Sequence, residues 1–415
     1  MDVRILPGIL SGSVNAPDSK SVLHRLVLLS ALSGGGVIEC SGVLSDDILA
    51  TADCVKALGG NVLREETRLV VSPVTYGGEA RLYCRESGST LRFVLPIAAA
   101  LGKRAEFEGS GRLPLRPNKP LTDALAQNGV DVKGDGLPIT LDGKLKSGVF
   151  SIAGDVSSQY ITGLLLALPL IGGGEIKLTS PLASKGYIDI TLCCMQRFGV
   201  DVTVTESGFS VPAAPYKRVD IINCEGDWSG GAFLLAAGVL SGGVCVCGLD
   251  LNSPQGDKKF FDILTRMGAD ITSDKGKITA KPSALRAVSL DASDIPDLVP
   301  ITAVLASAAE GRSEIYGVER LKLKESDRIA ATLSLINSLG GNASFDGEKI
   351  AVEGCGRLKG GAADGFGDHR IVMSAAVASC ICDSEVTVTG IESVAKSYPA
   401  FFEDFSALGG EFYAL

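Results

Sequence analysis

Residues 321–329 read LKLKESDRI and hold Lys322, Lys324, Glu325, Asp327 and Arg328 within nine positions. Mixed-charge runs are ordinarily solvated faces. This one lies between a strand-like SEIYGV and a helix-like RIAATLSLINSLGG, so Lys324, Glu325 and Arg328 stand at a strand-to-helix junction. The four-residue spacing of Lys324 and Arg328 predicts that one helical face presents both. Other polar groups open apolar runs in the same way. Lys20, Ser21 and Arg25 do so in APDSKSVLHR, Gly88, Ser89 and Arg92 in ESGSTLR, and Ser157, Ser158 and Gln159 in VSSQY. Asp297 does so in DIPDLVP, and Asp368, His369 and Arg370 in GDHRIV.

A helix N-terminus offers unpaired N–H groups and partial positive charge, a ready site for phosphate or carboxylate. Lysine and arginine placed there oppose the dipole, which is reasonable where an anion sits between them. Ser and Asp at such places are also ordinary caps, and SDIPD alone satisfies that role for Asp297. Arg116, between prolines in GRLPLRPNKPL, and Lys396, in AKSYPAFF, add two more cations at such junctions.

The elements that must position these groups recur along the chain. VKALGGNV, LAQNGVDV, MQRFGVDV, LTRMGADI, INSLGGNA and FSALGGEF each read as a helix stopped by glycine before a strand. The glycines are Gly59, Gly129, Gly199, Gly268, Gly340 and Gly409, separated by 70, 70, 69, 72 and 69 residues. Glycine there suits the left-handed conformation that closes a helix. Six apolar segments keep the same beat, opening near Ser19, Ser87, Ser157, Trp228, Pro296 and Asp368. Helices apolar on nearly every side are expected to be buried. Six α/β units in 415 residues suggest two pseudo-symmetric halves of three.

Composition bounds the function. The chain is 46% hydrophobic and 21% charged, with net charge −9, which describes a globular protein and disfavours bulk electrostatic binding of nucleic acid. Any anion must be held by a local cationic patch. The eleven cysteines lack zinc spacing and only His24 and His369 could assist a metal, so no metal or other cofactor is expected. The cysteines read as small core residues of a reducing compartment. Residues 228–249 carry no charge, but SGG at 241–243 divides them into a helix and a strand, so no membrane span is expected. The N-terminus shows no signal pattern, and a cytoplasmic protein is expected.

The motifs APDSKSVLHR, SGSTLR, LPLRP, GDVSSQY, SKGYIDIT, DIPDLVP, LKLKESDRI, GDHRIVMSAA and AKSYPAFFEDF, in this order, span nearly the whole chain. Together they resemble those of the 3-phosphoshikimate 1-carboxyvinyltransferase (5-enolpyruvylshikimate-3-phosphate synthase) family of enolpyruvyl transferases. The resemblance implies a two-domain inside-out α/β barrel with three βαβαββ repeats per domain and buried helices. Crossovers near Val14 and Asn15 and near Cys224 and Glu225 would divide residues 15–225 from residues 1–14 and 226–415. It implies attack by the 5-hydroxyl of shikimate 3-phosphate on C2 of phosphoenolpyruvate, protonation at C3 and expulsion of phosphate, in a monomer and without metal. By the same resemblance, Lys20, Ser21, Arg25, Ser157, Ser158, Gln159, Ser184 and Tyr187 would bind shikimate 3-phosphate. Lys20, Gly88, Arg116, Gln159, Arg328, Arg370 and Lys396 would bind phosphoenolpyruvate. Asp297 would be the base on the 5-hydroxyl, Lys324 would orient that hydroxyl, Glu325 would carry the proton to C3, and Lys20 would be catalytic as well as substrate-binding. His369 would support the site.

The chain departs from the common pattern at four places. Glu86 stands where many members have Asn, Ser89 replaces a frequent Thr, Gly186 replaces a Pro, and Arg320 stands where Asn is also seen. Glu86, two residues before Gly88, is expected to bear on phosphoenolpyruvate affinity. Two other readings compete. The UDP-N-acetylglucosamine enolpyruvyl transferases share the fold but use a loop cysteine near the donor site, and GSGRLPLRP has none. A non-catalytic homologue would be expected to have lost Asp297, Glu325 or an arginine, and all are present.

Overall fold

The computed structural model describes residues 1–134 and 136–415. The chain divides into two compact units: Lys20–Cys224, and Met1–Ser19 together with Glu225–Leu415. The first boundary lies past the Val14 and Asn15 expected from the resemblance, and hydrogen bonding explains the shift. Strand Gly12–Asn15 runs parallel to Val244–Cys247, Ala16 N–H donates to Cys247 O, and Ser19 N–H donates to Glu225 O. The chain therefore stays tied to the discontinuous unit until Ser19.

Among the described residues there are six four-stranded sheets, and all share one plan. In the Lys20–Cys224 unit, Gly36–Glu39 pairs in parallel with Ile221–Asn223 and antiparallel with Arg68–Ser72, which pairs antiparallel with Asn61–Glu65. One parallel and two antiparallel pairings recur in the other five sheets, including the one closed by N-terminal strand Val3–Ile5. Strands such as Arg68–Ser72 and Glu79–Tyr83 alternate buried and exposed residues, so one sheet face is solvated.

Helices fill the interiors. Lys20–Leu32, Gly88–Ala100 and Ser158–Ala167 are buried on nearly every side in one unit, as are Trp228–Leu240, Val299–Ala308 and Arg370's helix His369–Ala378 in the other. Their apolar sequences leave no polar face to hydrate, so burial among the sheets is the arrangement that removes most apolar surface from water. Close crossing needs small residues: a Cβ at Gly163 would lie 2.1 Å from Arg92 O, so only glycine lets the second and third inner helices meet there. The more polar helices Asp46–Ala57, Lys119–Gln127 and Lys185–Arg197, and their counterparts in the other unit, each end at a repeat glycine. All six repeat glycines have φ between 78° and 100°, the left-handed value the spacing predicts.

The uncharged stretch at 228–249 is interrupted as expected: helix Trp228–Leu240 gives way to strand Val244–Cys247. Among the described residues no helix is long and apolar enough to cross a membrane.

Candidate active site

In the Lys20–Cys224 unit, the starts of three inner helices carry a connected set of polar groups. Ser87 and Ser157 are N-caps, accepting from Thr90 N–H and Gln159 N–H. Lys20 Nζ pairs with Asp47 Oδ2 at 2.9 Å. Arg25 is buried. Its Nε donates to Thr191 Oγ1 (2.8 Å), its Nη1 to Ser21 O (2.5 Å), and its Nη2 to Tyr187 O (2.9 Å) and Thr162 Oγ1 (3.3 Å). Burial lowers its pKa to about 10, which still leaves it cationic at neutral pH. Tyr187 thus joins the cluster through its carbonyl, on the helix that begins after Ser184, itself at a left-handed φ of 56°.

Gln159 links the second and third helices. Its Oε1 accepts from Arg92 Nη1 at 2.5 Å and its Nε2 donates to Ser89 Oγ at 2.9 Å. Arg92 also donates to Asn118 Oδ1 and Pro117 O, so it braces the loop that carries Arg116. The Arg116 guanidinium lies on Gly88: a Cβ there would come within 2.8 Å of Nη1 and 3.0 Å of Cζ. Gly88 therefore admits a cation directly over the first turn of an inner helix.

In the other unit the charges are denser. Asp297 Oδ1 accepts from Lys324 Nζ (3.1 Å) and Arg328 Nη1 (2.6 Å), and its Oδ2 lies 3.7 Å from Arg370 Nη2. Burial alone would raise the Asp297 pKa, but Lys324, Arg328 and Arg370 outweigh it and hold the carboxyl well below the usual carboxylate range. The Lys324 amine is pushed down by burial, against the pull of Asp297. Arg328, only 1% exposed, turns each guanidinium nitrogen to a carboxylate: Nη1 to Asp297, Nη2 to Glu325 Oε2 (2.7 Å), and Nε to Asp368 Oδ2 (2.8 Å). Asp368 caps the last inner helix through Arg370 N–H and accepts from Ser326 Oγ. Arg370 Nη1 donates to Ser229 O at 3.1 Å, and Ser229 Oγ donates to buried Asp257, whose pKa burial and the Asp297 charge raise to about 7. Lys396 is buried at the end of the 3₁₀ segment Ile391–Lys396.

One local expectation is corrected. Lys324 and Arg328 do not share a helical face. Asp327 caps the helix Arg328–Ser338 by accepting from Ile329 and Ala330 N–H, so Lys324 lies before it in extended backbone, and the two cations meet on Asp297 instead. The Asp297 carboxylate, which SDIPD could also have used as a plain cap, is turned to the cations Lys324 and Arg328.

Lys20, Ser21, Arg25, Tyr187, Gly88, Arg116, Ser157, Ser158 and Gln159 thus fall at inner-helix starts or against them in one unit. Asp297, Lys324, Glu325, Arg328 and Arg370 form one charged cluster in the other. His369 lies beside Asp368, with Nδ1 3.8 Å from Oδ1. Asp47, Asn118 and Asp257 were not anticipated. Asp47 reads as an ordinary acidic first-turn residue in SDDIL, and PQGDKK gives Asp257 no apolar context that foretells burial.

Sheets outside and helices inside define a fold shared with solved enolpyruvyl transferases. The enolpyruvyl transferase NikO of Streptomyces tendae superposes with a TM-score of 0.82 at 19% identity, covering 99% of this chain and 98% of its own. The EPSP synthase of Acinetobacter baumannii superposes with a TM-score of 0.82 at 24% identity over the whole of both chains. Sequence gives the narrower relationship. The family model EPSP synthase (3-phosphoshikimate 1-carboxyvinyltransferase) matches residues 6–405, and the chain belongs to that family. It is 41% identical over 411 residues to the 3-phosphoshikimate 1-carboxyvinyltransferase of Methanocorpusculum labreanum, covering 97% of each. It is also 41% identical over 416 residues to that of Clostridium kluyveri, covering 99% of this chain and 97% of the relative.

Proposed function

We propose that the chain transfers the enolpyruvyl group of phosphoenolpyruvate to the 5-hydroxyl of shikimate 3-phosphate, releasing phosphate. Family membership supports this reading of the overall reaction. The observation that carries the residue roles is the Asp297 cluster, a carboxylate held ionised by Lys324, Arg328 and Arg370 with Glu325 on the same arginine. An ionised carboxylate can take the hydroxyl proton as the new C–O bond makes it acidic, while the neighbouring ammonium group orients that hydroxyl. Glu325, fixed by Arg328, is the group assigned to protonate C3.

The substrates together bring two phosphates and two carboxylates, so the site must neutralise several charges before the reactants meet. Lys20, Arg116, Arg328, Arg370 and Lys396 supply cations toward phosphoenolpyruvate, with Gly88 and Gln159 at inner-helix starts. Lys20, Ser21, Arg25, Ser157, Ser158, Gln159, Ser184 and Tyr187 are assigned to shikimate 3-phosphate. Arg25 supports that assignment by tying Ser21 and Tyr187 to one guanidinium. The same reading takes the working form to be a cytoplasmic monomer.

The test is phosphate release from phosphoenolpyruvate with shikimate 3-phosphate, run beside UDP-N-acetylglucosamine as alternative acceptor. Release with shikimate 3-phosphate alone is expected. Release with the nucleotide sugar alone, or with neither in folded protein, would overturn the proposal.

A further inference from the structure

The departure at Glu86 has a structural counterpart in the loop at 109–116. This loop leaves strand Arg104–Glu108 and ends at Arg116, and three consecutive features hold it to the segment before the second inner helix. Ser110 N–H donates to Arg85 O at 2.6 Å, where Arg85 itself takes a left-handed φ of 50°. Arg112 N–H donates to Glu86 Oε1 at 3.1 Å. The Arg116 guanidinium then rests on Gly88. Gly111, at φ +57°, lies so near the Glu86 carboxylate that a Cβ would approach its Cδ to 2.5 Å, so the carboxylate packs directly on loop backbone.

A negative charge two residues from Gly88 would by itself weaken an anion site. Its geometry gives it a compensating purpose, because its Oε1 accepts a backbone N–H of the loop that carries Arg116. We propose that Glu86 is a positioning residue of the phosphoenolpyruvate site: its carboxylate pins the loop through the Arg112 amide and so holds the Arg116 guanidinium over Gly88. The proposal rests on the assignment of Gly88 and Arg116 to that substrate. It gives anchoring and charge opposite signs. Loss of the anchor lets Arg116 wander and weakens binding, whereas loss of charge with the acceptor kept leaves binding equal or stronger.

The experiment compares Glu86→Ala, Glu86→Gln and Arg116→Ala in the full chain. It reads KM for each substrate, kcat, and hydrogen exchange of the Arg112 amide. Glu86→Ala is expected to raise KM for phosphoenolpyruvate about tenfold, the worth of one hydrogen bond, with kcat and the other KM within about twofold. Its Arg112 amide should exchange about tenfold faster while amides of the inner helices keep their protection. Glu86→Gln, which keeps an oxygen acceptor, should retain wild-type exchange and an equal or lower KM.

Glu86→Gln as impaired as Glu86→Ala would overturn the proposal, as would unchanged Arg112 exchange in Glu86→Ala. Faster exchange without a KM change would overturn the link to the site but leave its assignment standing. A normal phosphoenolpyruvate KM in Arg116→Ala would remove the assignment itself, and the proposal with it.

Discussion

Replacing Asp297 by Asn separates its chemistry from its packing. The amide keeps an oxygen where Oδ1 accepts from Lys324 and Arg328, at 3.1 and 2.6 Å, but removes the charge and the basicity. At an effective dielectric of about 20, each of these cations attracts the carboxylate with roughly 5–6 kcal/mol of gross Coulomb energy, before desolvation offsets it. That attraction keeps Asp297 ionised far below neutrality, so its ionisation does not shape an acid limb in the working range. Losing a positioned general base typically lowers kcat by about 10²–10⁴, a barrier increase of roughly 3–5 kcal/mol. The variant also leaves the cluster one unit more positive, so anionic substrates are expected to bind as well or better. Steady-state phosphate release should show kcat down by at least about 10² with both KM values unchanged or lower. A folded Asp297→Asn protein with kcat within about tenfold of wild type would refute the base assignment. A loss carried wholly by KM would refute it too, since that is the mark of binding removed equally from ground and transition states.

Two further outcomes follow from buried charge. Arg328→Met leaves Asp297, Glu325 and Asp368 without the guanidinium they share, and should destabilise its unit by about 3–5 kcal/mol. This is read from urea unfolding at pH 7, where a change below about 1 kcal/mol would mean the carboxylates find other compensation. Burial pushes the pKa of His24, whose Nδ1 meets Thr51 Oγ1 at 2.7 Å, down to about 3. The unfolded chain therefore binds this proton first, and stability present above about pH 6.5 is lost as pH falls toward 3, on the order of 5 kcal/mol in all. Replacing His24 by Gln should flatten urea midpoints over that range. An unchanged slope would show that other groups govern acid unfolding.

The parts of this molecule that are legible in its sequence are those fixed by local conformation. A glycine that closes a helix needs positive φ whatever surrounds it, so Gly59 through Gly409 announce six helix ends. An uncharged run announces a buried helix because few other environments tolerate it. Arg328 shows where such reading stops. Its spacing from Lys324 suggests a shared helical face, yet the controlling local event is the Asp327 cap one residue before it. Its partners also include Asp297 and Asp368, 31 and 40 residues away, and only tertiary folding brings those carboxylates to it. The same holds for Lys20 with Asp47 and for Arg25 with Thr191, across 27 and 166 residues. Residue type and helix position say that an anion-binding cation is present. Which carboxylate holds it, and at what pKa, depends on distances that no periodicity encodes. Glu86 lies between these cases: its proximity to Gly88 is local, but its acceptor role depends on a loop returning from residue 112. A departure from a family pattern is therefore best judged by what the substituted side chain touches. Here that is the backbone of the loop bearing Arg116, so the substitution bears on where a cation stands as well as on local charge.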